Sequence, residues 1–244
     1  VALIEAAHVR DLRVLLDFVA PHTSEEHPWF LESRASRDNE RADWYIWADS
    51  AADGTPPNNW LSSFGGPAWT WEPRRSQYYY HPFLSCQPAL NLLNPAVFDA
   101  IAGEMRFWLD LGVDGFRLDA VQTYACDPDL RDNPPVSEAG PDILVGGGPN
   151  NPFAKQSHLF DRDRPEALGI VEQMRAVVDA CDPPRVLIGE LADMDSSRLT
   201  EKYTQDDRML HAAYDFDLIN TPPEAGRLIA LLRRRRRFMP TGWI

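Results

Sequence analysis

The chain has 244 residues, with 37 acidic against 24 basic side chains and a net charge of −13, a balance that excludes a phosphate-binding basic face as its main surface. At 44% hydrophobic and 25% charged, it suits one large α/β domain or part of one. No run of about 18 apolar residues marks a membrane span, and no signal peptide is evident.

The first residues, VALIEAAHVR, read as the end of an amphipathic helix without an initiator Met, so the true N-terminus is expected further upstream. RVLLDFV (13–19) reads as a buried strand ending near Asp17. Residues 20 to about 90 are rich in Pro, Asn, Ser, Gly and aromatics, and predict an irregular excursion with short strands. Asn94 and Pro95 mark an N-cap and first helical position, and the helix stops at Gly112. GFRLD (115–119) is a strand, and 120–165 a second polar excursion. A helix over 165–181, a strand over 185–191, a short helix near 196–204, a fourth strand AAYDFD (212–217) and a helix over 222–238 follow. GWI (242–244) reads as the start of another strand.

Strands alternating with helices imply parallel pairing and right-handed crossovers. An open doubly wound sheet and a closed (β/α)8 barrel compete, and the lack of GxGxxG after any strand weakens a dinucleotide fold. Asp17, Asp119 and Glu190 all stand at C-terminal strand ends, where barrel enzymes build their sites. The fold expected is therefore α/β: a partial barrel of about strands 3–6 and the start of 7. An inserted subdomain occupies 23–90, between barrel segments 1–22 and 91–244.

Arg117 and Asp119 are two apart and share a strand face. Two carboxylates on successive parallel strands can divide the work of glycosidic cleavage, with Asp119 ionised as nucleophile and Glu190 protonated as general acid. Arg117 would keep Asp119 charged and oriented. Glu190 has no cationic neighbour in sequence, as a carboxyl with a raised pKa requires. Two other readings stay open: Asp119 as a helix cap with Arg117 in a structural pair, or Asp17, His22 and Asp119 as metal ligands.

The segments DFVAPHTSEEHPWF (17–30), QPALN (87–91), GVDGFRLDA (112–120) and VLIGE (186–190) resemble, in order and spacing, the signature regions of glycoside hydrolase family 13. WYIWAD (44–49), NNWLSSFGG (58–66), YYYHPF (78–83) and GGGPNNPF (146–153) resemble its bacterial α-glucosidase branch related to oligo-1,6-glucosidase. The resemblance implies Asp119 as nucleophile, Glu190 as acid/base and Arg117 beside the nucleophile. It implies His22 as a sugar ligand, Asp17 as a structural carboxylate, and Phe83 and His81 at the substrate pocket, His81 having a structural role as its equal alternative. Ala120, small and next to the nucleophile, implies preference for α-1,4 over α-1,6 bonds. The partner implied is a small α-glucoside, with no nucleic acid or membrane and an undefined oligomeric state. No cofactor is required; calcium is possible, but Asp49, Asp53 and Asn58 lack the spacing for it.

Departures from the family pattern are Pro21 before His22, Ala89 in place of a carboxylate, and Gln122 in place of an asparagine. The family's third carboxylate would fall after Ile244, so these residues alone are expected to be inactive. A transglucosylase on the same site, or a degenerate member acting as an interaction protein, are the alternatives. Trp44, Trp47, Trp60, Trp69 and Trp71 are expected mostly in the core of the insertion, and Arg233–Arg237 on a solvated helix face. Cys86, Cys126 and Cys181 fit buried or half-buried free thiols and a cytoplasmic location.

Overall fold

The structure is a computed structural model, describing residues 1–136, 151–192, 196–214 and 216–236. The elements run α1 (Ala2–His8), β1 (Leu15–Phe18), α2 (Pro28–Ser33), β2 (Trp47–Ala48), β3 (Trp69–Glu72), β4 (Gln77–Tyr80), α3 (Pro95–Asp110) and β5 (Gly115–Leu118). They continue with α4 (Pro165–Asp179), β6 (Val186–Gly189), α5 (Ser196–Thr204), β7 (Ala212–Ala213), α6 (Phe216–Asn220) and α7 (Ala225–Arg235). The chain forms two compact units. The first comprises Val1–Phe18, Ala102–Val121 and Val171–Ile244, the second Val19–Ile101 and Gln122–Ile170.

The first unit carries a parallel sheet in the order β1-β5-β6-β7. Its strands follow sequence order with no reversal. A doubly wound sheet reverses at its switch point, whereas a barrel section does not. Phe116, Leu118 and Leu187 are fully buried. Gly115, at φ +152°, brings β5 close to β6: a Cβ there would lie 2.1 Å from the Val186 carbonyl oxygen, so no side chain fits. Just before the strands begin, the buried Asp114 carboxylate binds His8 Nε2 (2.7 Å), the Val14 N–H (2.8 Å), Arg13 (3.3 Å) and Arg185 (3.4 Å). These partners tie together the starts of β1, β5 and β6. Burial alone would raise the Asp114 pKa, but the Val14 and His8 hydrogen bonds outweigh it and the pKa is lowered.

The fourth strand is shorter than the sequence predicts. Only Ala212 and Ala213 pair, and 216–220 turn into α6. Asp217 explains this: its carboxylate accepts from Ser197 Oγ (2.7 Å) on α5 and Arg234 (2.9 Å) on α7, while its carbonyl accepts from Thr221 Oγ1. These bonds favour a helical turn over an edge strand. The last helix starts at Ala225 rather than 222, after Pro222 and Pro223. Arg233, Arg234 and Arg236 are exposed, whereas Arg235 is half-buried, so the basic run is solvated only in part. Arg237, the GWI strand, Asp215 of AAYDFD and residues 146–150 of GGGPNNPF lie outside the described residues.

The second unit is held by an antiparallel sheet, β2-β4-β3, and by aromatics. Trp60 and Trp69 stack at 5.9 Å and both meet Tyr80 at 5.3 Å, in a cluster that also buries Ala48, Ala68, Ala89 and Cys126. Their indole N–H groups are satisfied, Trp60 by the Arg131 carbonyl and Trp69 by Asn58 Oδ1, each at 2.8 Å. Of the five tryptophans expected there, Trp60 and Trp69 are buried, Trp44 and Trp47 are half-buried, and Trp71 is 43% exposed against Tyr78. Cys126 is buried, which pushes its thiol up to about 12, and Cys181 is half-buried; Cys86 is exposed, contrary to expectation.

Two arginines stiffen this irregular unit. Buried Arg75, in the β3–β4 turn, donates to the carbonyls of Ser33 (2.6 Å), Ser36 (3.0 Å) and Ala42 (3.0 Å), grips Gln77 Oε1, and lies 4.2 Å from the Trp47 ring centre. Arg131 closes on buried Asp127 with two bonds, of 2.6 and 2.8 Å. The Arg131 hydrogen bond holds the Asp127 pKa at about 2.

Arg75→Met removes the donor to three carbonyls and is expected to destabilise the protein by about 3 kcal/mol or more. Arg75→Lys should recover little of this, because an ammonium cannot reproduce the guanidinium fork; urea unfolding measures both. Asp127 binds fewer protons folded than unfolded between the ordinary carboxylate value of 3.8 and about 2. Its contribution is therefore full above that window and disappears as pH falls through it. The melting-temperature gap between the protein and Asp127→Asn should shrink steadily as pH is lowered from about 5 towards 2.

Candidate active site

The first unit gathers four charged side chains at one end of its sheet. Asp17 pairs in register with Arg117, and Arg117 with Ile188, two residues before Glu190. Alternation along parallel strands therefore puts Asp17, Arg117, Asp119 and Glu190 on one face, just where β1, β5 and β6 end. The backbone is pinned there as well. Asp119 N–H donates to the Phe18 carbonyl (3.2 Å), Glu190 N–H to Leu118 (2.9 Å) and Val121 N–H back to Glu190 (3.1 Å).

Arg117 is the centre of the group. One terminal nitrogen donates to Asp17 Oδ1 (2.6 Å) and Asp119 Oδ1 (2.7 Å), and the other donates to Glu190 Oε2. Glu190, expected without a cation because none neighbours it in sequence, has one in the structure, because Arg117 spans from its own strand to the end of β6. Burial alone would lower the Arg117 pKa, but the hydrogen bond to Asp17 and the charge of Asp119 outweigh it, and the pKa is raised. Side-chain exposure is 23% for Arg117, 22% for Asp119 and 18% for Glu190, against 60% for Asp17. The first three thus form a half-buried cluster with access to solvent, and Asp17 is its outer member. Where the metal reading would put a cation beside Asp17 and Asp119, the guanidinium already stands. Among the described residues no group of three or more His, Cys, Asp and Glu is placed to hold a metal ion. Ala120 follows Asp119 at φ +41°, buried, in the left-handed region that turns the chain away from the strand.

His22, Phe83 and His81 belong to the second unit and come together there. The His22 and Phe83 rings meet edge to face at 5.5 Å. His81 is buried, with Nδ1 3.1 Å from the Phe83 carbonyl and Nε2 2.9 Å from Thr70 Oγ1, so both ring nitrogens brace this turn. Burial lowers its pKa, against the opposing effect of the Phe83 carbonyl. Pro21 does not disrupt the segment: its carbonyl accepts from Leu90 N–H (2.9 Å), and His22 bridges Ala89 antiparallel. The Ala89 side chain, where the family pattern has a carboxylate, is buried in the aromatic cluster. Gln87 is the residue that sequence reasoning missed, 2.9 Å from His22. The signal was its place at the head of QPALN, the segment that pairs with residues 21–23.

Comparison with known proteins identifies the family of the chain. The family model "Alpha amylase, catalytic domain" matches residues 1–229. A probable alpha-glucosidase of Rhizobium meliloti (strain 1021) is 46% identical over 99% of this chain and 44% of its own length. An oligo-1,6-glucosidase of Heyndrickxia coagulans is 36% identical over 92% of this chain and 38% of its own. The crystal structure of the alpha-glucosyl transfer enzyme XgtA superposes with a TM-score of 0.93 at 46% identity, covering 99% of this chain and 45% of that one. The chain thus spans less than half the length of each of these relatives. Its four-stranded parallel sheet is a section of a (β/α)8 barrel, and the chain belongs to the alpha-amylase family, glycoside hydrolase family 13.

Proposed function

We propose that the protein is a retaining α-glucosidase acting on terminal α-glucosidic bonds of short oligosaccharides, with preference for α-1,4 linkages. The observation that carries this reading is one guanidinium gripping both Asp119 and Glu190. Carboxylates held by the two ends of one fork suit the about 5–5.5 Å separation of a retaining pair better than the about 6.5–9.5 Å of an inverting one. In the first step the Asp119 carboxylate attacks the anomeric carbon and the glycosidic C–O bond breaks. Glu190 gives its proton to the departing oxygen. In the second, Glu190 takes a proton from the incoming hydroxyl as that oxygen displaces Asp119. For Glu190 to act as acid it must hold a proton, so substrate entry has to loosen its bond to Arg117, which stays on Asp119. His22 and Phe83 bind the sugar, with Asp17 anchoring Arg117 from the outside.

If the incoming hydroxyl belongs to a sugar or an alcohol rather than water, the same two steps transfer glucose. The likeness to an alpha-glucosyl transfer enzyme supports this second reading. A degenerate, non-enzymatic member would have no use for the two acids on Arg117.

In the full-length protein, a mechanism-based cyclitol that traps glucosidase nucleophiles should label the Asp119 peptide in mass spectrometry, and Asp119→Asn should abolish both labelling and turnover, by roughly 10³-fold or more. Absence of labelling would favour the non-enzymatic reading. Product analysis at high maltose separates hydrolysis from transfer. Ala120→Val places a β-branched side chain at a left-handed φ beside the reacting centre. It is expected to shift the ratio of maltose to isomaltose cleavage and to lower the melting temperature; an unchanged ratio would remove Ala120 as a linkage selector.

A further inference from the structure

The contact between Gln87 and His22 defines a protonation state. A carboxamide has one donor end and one acceptor end, and which end faces which neighbour follows from the neighbours' own chemistry. Gln87 Oε1 lies 3.1 Å from the Leu84 N–H, a group that can only donate, so that end of the amide must be the oxygen. The other end is then the NH2, which lies 2.9 Å from His22 Nε2. A flipped amide would set two donors against each other at Leu84. The turn is closed independently by the Gln87 N–H, which donates to the Leu84 carbonyl at 2.9 Å, so the carboxamide is anchored by its own backbone.

Only an unprotonated Nε2 can accept from that NH2. We infer that Gln87 is a positioning residue for His22: relayed from the Leu84 amide, its carboxamide holds His22 neutral, with the ring proton on Nδ1. Free imidazole side chains favour the opposite tautomer, so the state needs a cause, and the bond made by the other nitrogen supplies it. The antiparallel bridge between His22 and Ala89, with Thr23 N–H donating to the Pro88 carbonyl (3.3 Å), sets the two segments in the register that brings Gln87 to the ring. Edge-to-face contact with Phe83 fixes the plane of the imidazole. The role assigned to His22 in sugar binding rests on the proposed function; the tautomer rests on these bonds alone.

Long-range proton–nitrogen correlation spectra of the ¹⁵N-labelled full chain, with the His22 signals assigned by comparison with His22→Gln, report the tautomer without any need for turnover. At about pH 7.5, above the ordinary histidine range, His22 should show a protonated Nδ1 and a bare Nε2. Gln87→Leu, which removes the donor, should move the population towards Nε2–H. Gln87→Glu, which puts an acceptor there, should give Nε2–H or the imidazolium, while the remaining backbone amide signals report an intact fold. A charged or Nε2-protonated His22 in the unaltered chain overturns the inference, as does a tautomer unmoved by Gln87→Leu. Labelling of Asp119 by the cyclitol depends on neither result, so a failure here and a failure of the glucosidase reading are told apart.

Discussion

Three carboxylates and one arginine share the end of the parallel sheet, and much of the first unit can be understood as the means of holding them there. Asp17, Asp119 and Glu190 come from three different strands, and all reach the same guanidinium. Carboxylates this close repel each other unless a cation stands between them, and in a half-buried setting the repulsion is poorly screened. A planar fork with several donors can serve three acids at once, where an ammonium would act as a single point charge. The arrangement tolerates little slippage: a shift of one residue in β5 would turn Arg117 and Asp119 to the opposite face.

Register is secured far from the site. Gly115 lets β5 approach β6 more closely than any side chain would permit, and the Asp114 carboxylate gathers the chain ahead of β1, β5 and β6. The opposite ends of the strands therefore carry separate duties. One end, built on a buried acid with cationic and backbone donors, serves stability. The other, more exposed, presents the four charged groups of the proposed active site.

The second unit solves a different problem. It has few long elements and is rich in proline and aromatics, so backbone hydrogen bonding alone cannot define it. Stacked indoles supply apolar area, and arginines reach across it to cap carbonyls that no helix or strand satisfies. The same logic extends to His22 and His81, whose orientations are set by a side-chain amide and by a carbonyl with a hydroxyl, respectively.

Much of this was legible in the residue order. Period-two alternation in GFRLD, its place after a capped helix, and acids at successive strand ends are local patterns, and local patterns survive without the fold. That is how Asp17, Arg117, Asp119 and Glu190 could be assigned to strand ends from sequence alone. Reach across strands is another matter. The Arg117–Glu190 bond joins residues 73 apart, so no sequence neighbour of Glu190 announces it. The short β7 depended on Asp217 bonds to two other helices, and the second bonds of His81 and Gln87 on a turn closing back upon itself. Sequence by itself determined which groups carry charge and which face each strand presents, because both follow from covalent alternation. Tertiary structure decided which acid shares which cation, and which nitrogen of His22 holds its proton, because those depend on distances between segments far apart along the chain.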